Sequence, residues 1–324
     1  MTAKIVPIKD NEDAALRAAL AELQLGLPIG LPTETVYGLA GDATNPEAIT
    51  RIYETKGRPS FNPLIAHVGT LAMAEAQAEF SSLAHLLAEK FWPGALTIVL
   101  PLKASHTVHE LATAGLDTVA LRMPCGFANR LITAFGKPLA APSANLSGKI
   151  STTDAQHVAD DLGERINLIL DDGRTPIGVE STIVKIDGEQ IYLLRPGGIA
   201  SETIEEVARR PLLRLTGDTK IQAPGMLSSH YAPNAQLVLD ATECAAGDAL
   251  IRFGASSIEG QAQAAIVLDL SPSGDLAEAA ANLFHHLKAA DASGAQTIRV
   301  ASIPSHGLGE AIIDRLQRAA APRD

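Results

Sequence analysis

The sequence predicts an α/β protein in two unequal parts: a large twisted mixed sheet with helices, then a smaller α/β unit. Three observations carry this reading. Over about the first 200 residues, short apolar runs of strand length alternate with amphipathic helical segments. Several of those strands follow one another with no helix between them, which a purely parallel sheet does not allow. From Leu212 to Asn234 the periodicity gives way to Gly, Pro, Ser and Thr, and a fresh strand–helix alternation begins beyond.

Ala3–Ile8 alternates as a strand, and Asn11–Leu23 follows as an amphipathic helix capped by Asp10 or Asn11. Leu27–Leu31 is apolar and strand-like, breaks at Pro32, and leads through Thr33, Glu34 and Thr35 to Tyr37-Gly38. A helix comes next, Pro46–Thr55, with proline in its first turn. Pro63–Val68 is a buried-type strand, and Leu71–Phe91 is helical in two pieces divided near Phe80-Ser81. Strands are expected at Ala95–Leu100, Thr118–Arg122 and Pro138–Pro142, then a helix at Thr153–Leu162. Asn167–Leu170, Ser181–Ile186 and Gln190–Leu194 complete the strand set. Arg195-Pro196-Gly197-Gly198 ends the sheet, and a short helix at Ser201–Arg209 closes the domain.

The second part has strands at Gln236–Asp240, Ala249–Phe253, Ala264–Leu268 and Thr297–Ala301, with helices at Asp275–Ala290 and Leu308–Ala319. This is a Rossmann-like pattern, but it lacks the G-x-G-x-x-G fingerprint of a dinucleotide site. The expected division is 1–211, a linker at 212–234, and 235–324.

Composition narrows the function classes. A chain of 324 residues accommodates one large and one small domain. No apolar run reaches the roughly 18 residues of a membrane helix, and the N-terminus alternates and then carries acids, unlike a signal peptide. The two cysteines, Cys125 and Cys244, lie far apart and read as reduced thiols of a cytoplasmic protein. A formal net charge of -11 argues against a large nucleic-acid footprint, which normally shows as a basic patch. The nine histidines have no H-E-x-x-H or comparable spacing, so no metal site is expected. There is no G-x-S-x-G elbow and no Walker A motif.

The residues with chemistry gather at strand ends. Lys56 and Arg58 flank one glycine after a helix; they either complement its dipole or clamp a phosphate, Lys as point charge and Arg as fork. Their turn, stiffened by Pro59 and Pro63, reads as a polar surface whose truncation would leave the core intact. Ala141–Gly148, APSANLSG, follows an apolar strand, and its Ser143 and Asn145 suit phosphate oxygens and ribose. Ser151 either caps the next helix or reaches the nucleotide. Arg122 ends an apolar strand; its partner is either a core carboxylate or the carboxylate of a ligand. A lone His67 at a strand end is more often structural than catalytic.

These strings also carry a resemblance. PTETVYGLA, KGRPSFNPL, FWPGALTIVL, VALRMP, APSANLSG, GVESTIV and LLRPG, in this order from about Leu25 to Ile204, resemble the YrdC-like family of threonylcarbamoyl-AMP synthases. APGMLSSHYAP from Ala223 is similar to the linker of the two-domain form. The resemblance implies a YrdC-like sheet and an ATP-dependent nucleotidyltransferase. L-threonine, bicarbonate and ATP would give L-threonylcarbamoyladenylate and pyrophosphate, for N6-threonylcarbamoyladenosine in tRNA. By the same resemblance, Lys56, Arg58 and Arg195 act in catalysis. They bind ATP together with Asn62, Thr118, Asn145, Ser151 and Tyr231, while Thr35, His67, Arg122, Ser143 and Ser181 hold L-threonine. Mg2+ is expected to accompany ATP, with no organic cofactor. The product would pass to a separate tRNA threonylcarbamoyltransferase. The linker Ala223–Pro233 is expected to cover the cleft, with Tyr231 at its tip. The alternatives are a YrdC-like RNA-binding module without synthase activity and a carbamoyl-transfer enzyme using carbamoyl phosphate.

Overall fold

The computed structural model describes residues 2–59, 62–214, 224, 230–255 and 257–322. The strands of the first part are β1 (Lys4–Pro7), β2 (Ile29–Leu31), β3 (Gly38–Asp42), β4 (Ile65–His67), β5 (Leu96–Pro101) and β6 (Thr118–Arg122). They continue with β7 (Leu139–Ala140), β8 (Leu168–Asp171), β9 (Thr182–Asp187), β10 (Gln190–Arg195) and β11 (Leu212–Arg214). These eleven form one sheet in the order β1-β8-β2-β3-β7-β4-β6-β5-β9-β10-β11. Its pairings are mixed: β4 runs parallel to β6, while β5 runs antiparallel to β6 and β9 antiparallel to β10. The mixed sheet expected from adjacent strands is therefore present.

The accompanying helices are α1 (Glu12–Gln24), α2 (Pro46–Lys56), α3 (Leu71–Glu75), α4 (Ser82–Phe91), α5 (Glu110–Thr113), α6 (Gly126–Phe135), α7 (Ala155–Leu162) and α8 (Ser201–Ala208). Local chemistry explains their ends. Asn11 caps α1 by accepting from Ala14 N, Asn45 caps α2 with Pro46 at its first position, and Gly57 closes α2 in the left-handed region at φ 61°. The break between α3 and α4 falls where the sequence places it, with Ser81 capping α4.

Three elements differ from expectation. The segment after Tyr37, to which the sequence reading assigned no element, is β3, whose Gly38, Ala40 and Gly41 lack the branched side chains that mark a strand. Helix α6 was not foreseen; Cys125 stands at its N-cap and supplies no side-chain cap, so the usual start signal is missing. Residues 212–214, placed in the linker, pair in parallel with β10, so the sheet runs on to Arg214. Residues 215–223 and 225–229 of the expected linker lie outside the described residues.

The second part contains β12 (Gln236–Val238), β13 (Ala249–Arg252), β14 (Ile266–Asp269) and β15 (Thr297–Val300), with α9 (Leu276–Ala292) and α10 (Gly309–Ala320). Its strands are all parallel, in the order β12-β15-β13-β14. Leu283, Phe284 and Leu287 of α9 and Ile312 and Leu316 of α10 bury against Ile251 and Ile298 of the strands. That core takes in Val36, Ile150 and Val179 of the first part, so the two units share apolar surface. Polar contacts lock the same seam, including Lys288 to Asp161 at 2.8 Å and Ser201 Oγ to Glu310 at 2.6 Å. Among the described residues no helix is long and apolar enough to cross a membrane.

Candidate active site

The parallel register of β4 and β6 sets His67 beside Arg122 at their C-terminal ends. Ser181 lies just before β9, which is parallel to β5, and Arg195 ends β10. These ends open on one cavity of about 40 Å³, lined among others by Arg58, His67, Arg122, Ser143, Ser181 and Arg195. Larger grooves of about 430 and 480 Å³ follow the domain seam, but the convergent buried cations belong to the small cavity.

Arg122 donates from Nε to Gly94 O at 3.1 Å and from Nη2 to Glu34 at 2.7 Å. The core-carboxylate partner is thus present, and Nη1 has no hydrogen bond among the described residues. Burial alone would raise the Glu34 pKa, but Arg122 and the Cys125 N–H hold it below the usual carboxylate value. His67 is pushed down to about 3, by burial first and then by Arg122, and is a neutral imidazole at pH 7. Ser181 Oγ meets Thr97 Oγ1 at 2.7 Å. Thr33 donates to Val36 O, so the 2.9 Å contact between Thr33 and Thr35 is a donation by Thr35.

Three cations have no carboxylate partner among the described residues. Lys56, only 2 % exposed, gives its ammonium to the backbone oxygens of Ser143 and Asn145. Arg58 donates to Asn62 O and, at 3.0 Å, to Pro63 O. Arg195 donates to Ser181 O at 2.9 Å and to Pro224 O at 3.3 Å. Carbonyl dipoles satisfy their hydrogen bonds without cancelling their charge. Burial lowers all three pKa values, Arg58 to about 10, and repulsion adds to it: from Arg58 on Lys56, from Arg195 on Arg58 and from Arg315 on Arg195. The polar-surface reading of this turn is therefore wrong for Lys56, which is a buried brace of the 141–148 loop.

The other expected residues divide. Asn145 is fully buried and its amide nitrogen is held by Leu146 O and Lys149 O, so it does not offer that donor; its Oδ1 is unpartnered, as is the Oδ1 of Asn62. Ser151 neither caps a helix nor lines the cavity. It donates to Glu180 at 2.6 Å, and Asp154 caps α7 instead. Thr118 begins β6, four residues before Arg122 and about 13 Å along the strand. Tyr231 lines the cavity, but it is not an exposed tip: it is 1 % exposed and stacks on Phe284 at 5.4 Å. His230, also in the wall, is held neutral by burial at about 3 and its Nδ1 is unpartnered.

Arg315 of α10 was not foreseen. It is completely buried, donates from Nε to Glu180 at 2.8 Å and from Nη2 to Pro196 O at 2.9 Å, and lies over the Tyr231 ring at 5.3 Å. Burial would raise the Glu180 pKa, yet Arg315, Arg195 and the Ser151 hydroxyl bring it down to about 2. The available signal was a charge on the apolar stripe Ala311, Ile312, Leu316 and Ala319. Gly197 permits the closest approach here. A Cβ on it would stand 2.4 Å from the backbone of Glu180, Ser181 and Thr182.

A family model named Sua5/YciO/YrdC, with the description "Telomere recombination", matches residues 21–197. The chain belongs to the Sua5/YciO/YrdC family. A second model, "Threonylcarbamoyl-AMP synthase, C-terminal domain", matches 199–321. The threonylcarbamoyl-AMP synthase of Pyrococcus abyssi is 39% identical over 98% of each chain. That of Bacillus subtilis is 41% identical over 97% of this chain and 95% of its own. Within the family, the crystal structure of P. abyssi Sua5 complexed with L-threonine superposes with a TM-score of 0.88 at 35% identity, covering 98% of each chain. E. coli YciO, at 20% identity and TM-score 0.54 over 60% of this chain and 96% of its own, shares the fold of the first part.

Proposed function

We infer that this chain is a threonylcarbamoyl-AMP synthase, which makes L-threonylcarbamoyladenylate and pyrophosphate from L-threonine, bicarbonate and ATP. The observation that carries the reading is the trio of buried Lys56, half-buried Arg58 and buried Arg195, none with a carboxylate hydrogen-bond partner among the described residues, beside Arg122. A concave site with excess buried positive charge suits a polyphosphate, and the family's threonylcarbamoyl-AMP synthases supply the reaction.

Arg58 and Arg195 hold the triphosphate, and the third proton of Lys56 adds to them. Arg122, oriented by Glu34, offers Nη1 to the threonine carboxylate, with neutral His67, Ser181, Ser143 and Thr35 around the rest of the amino acid. The unpartnered amide oxygens of Asn62 and Asn145 suit donors of the nucleotide, and Tyr231 packs at its edge. The threonine nitrogen forms a bond to the bicarbonate carbon and water leaves, giving a carbamate. A carbamate oxygen then attacks the α-phosphorus, the bond to the bridging oxygen breaks, and pyrophosphate departs with its electron pair. The protein's part is positioning and charge neutralisation rather than covalent catalysis.

Glu34 and Glu180 line or flank the cavity and both are engaged by arginines. Neither carboxylate is free to hold a metal, so Mg2+ would accompany ATP and would there neutralise phosphate charge. The cavity is smaller than its substrates, so binding displaces part of its wall. Free thiols at Cys125 and Cys244 fit a reducing cytoplasm. The product is a mixed anhydride that a separate transferase consumes in modifying tRNA, and the acidic chain itself makes no strong tRNA contact. The test is pyrophosphate release from ATP with each substrate omitted in turn. Release should need both L-threonine and bicarbonate; undiminished release without threonine would sink the assignment.

A further inference from the structure

Asp154, His157 and His285 bring one ligand atom each to within 4.8 Å of one another. They come from both domains: Asp154 caps α7, His157 lies in its first turn, and His285 lies within α9. The capping bond itself orients the carboxylate. Its Oδ1 accepts from His157 N at 2.8 Å, while Oδ2 lies 3.2 Å from His157 Nδ1 and 3.5 Å from His285 Nδ1. Both Nδ1 atoms are buried, and neither has a hydrogen bond of proper geometry. The two rings are 5.3 Å apart and inclined at 41°.

An ordinary histidine–aspartate pair would align one ring N–H with the carboxylate, and here two rings share one oxygen with neither aligned. Zinc–nitrogen bonds of about 2.0–2.1 Å in a tetrahedron place ligand atoms about 3.3 Å apart. The two measured separations, 3.2 and 3.5 Å, straddle that value. His157 and His285 also line a groove of about 480 Å³ at the domain seam, through which water can reach a fourth position.

We propose that Asp154, His157 and His285 form an interdomain site for a divalent transition metal of the zinc class, completed by water. Two imidazoles and one carboxylate select Zn2+ over Mg2+ and Ca2+, which prefer all-oxygen surroundings. The site stands apart from the cation-lined cavity. Its metal would join α7 to α9 beside the Lys288–Asp161 ion pair, pinning the second domain to the first. Sequence spacing could not show it, because the third ligand is 128 positions from the second.

The test uses tag-free full-length protein stripped with chelator and titrated with Zn2+ alone by calorimetry, with Co2+ alone followed by visible absorption. One Zn2+ per chain is expected, with a Zn2+-dependent rise in unfolding temperature and Co2+ bands of a four-coordinate site. His157→Gln and His285→Gln, checked for folding by circular dichroism, should each weaken Zn2+ binding at least tenfold and abolish the thermal shift. His286→Gln, a neighbour outside the trio, should leave both unchanged. Absence of Zn2+ binding in the wild type, or equal affinity in the double variant His157→Gln/His285→Gln, overturns the proposal without reference to synthase activity.

Discussion

Arg315 of the second domain donates its Nε proton to the Glu180 carboxylate at 2.8 Å, and Glu180 is part of the wall of the cation-lined cavity. The second domain thus supplies the counter-charge that keeps a buried carboxylate ionised beside the proposed phosphate site. Glu180 in turn receives Ser151, so one interdomain pair organises groups from three loops.

Arg315→Met should be strongly destabilising, because it leaves Glu180 buried and unpaired. The expected loss is about 3–5 kcal/mol for breaking one side of a buried pair. Pairing it with Glu180→Gln removes the stranded charge and should recover much of that loss. Urea denaturation of the two single variants and the double variant measures the coupling; additive losses would contradict it.

Arg58→Ala and Arg195→Ala should each weaken ATP binding by about 1.5–3 kcal/mol, the usual size of a charge-assisted hydrogen bond. Lys56→Ala should differ from both, because it also frees the backbone oxygens of Ser143 and Asn145 and so lowers stability. Calorimetry with ATP beside urea denaturation separates the two effects. A Lys56 variant as stable as wild type would refute the brace.

His67 fixes a direction for acid sensitivity. Its folded-state pKa, about 3, lies below the ordinary 6.5, so the unfolded chain binds the proton first as pH falls. The stability it contributes is complete above about pH 6.5 and is lost progressively toward pH 3. Between pH 7 and pH 5 the loss is roughly 2 kcal/mol from this group. His67→Gln should flatten the decline by that amount, measured as unfolding free energy at the two pH values; an unchanged slope would contradict a buried neutral imidazole.

Gly197→Ala should damage the site from behind. The added methyl meets the backbone of residues 180–182 at 2.4 Å, so Ser181 and Glu180 must move. A loss of stability in the range of about 1–3 kcal/mol, as for other overpacked sites, should accompany a raised KM for L-threonine. Wild-type KM and stability together would show that the contact is not tight.

Most strands were legible because apolar runs of their length stand between clear breakers. β3 was not, since Gly38, Ala40 and Gly41 gain their burial from α2 and neighbouring strands rather than from bulky side chains. Helix α6 lacked a cap residue to announce it. Within the site, strand-end residues such as Arg122, His67 and Arg195 could be read from local strings, whereas how they are engaged could not. The buried tether of Lys56 and the wedged ring of Tyr231 depend on chain that returns from elsewhere. Arg315 left only the signal of a charge on an apolar stripe, and its partner was illegible: Glu180 is 135 residues away, and only folding brings the two domains together.

In the proposed reaction the cations beside Arg122 hold ATP and L-threonine for adenylation of a carbamate. It is tested most directly by incubating the full chain with MgATP, L-threonine and 13C-bicarbonate and observing the product by 13C and 31P NMR. The expected product carries a labelled carbamoyl carbon coupled to the phosphorus of AMP, formed with stoichiometric pyrophosphate and absent when L-threonine is withheld. ATP turnover to ADP and phosphate with all label remaining in bicarbonate would contradict it.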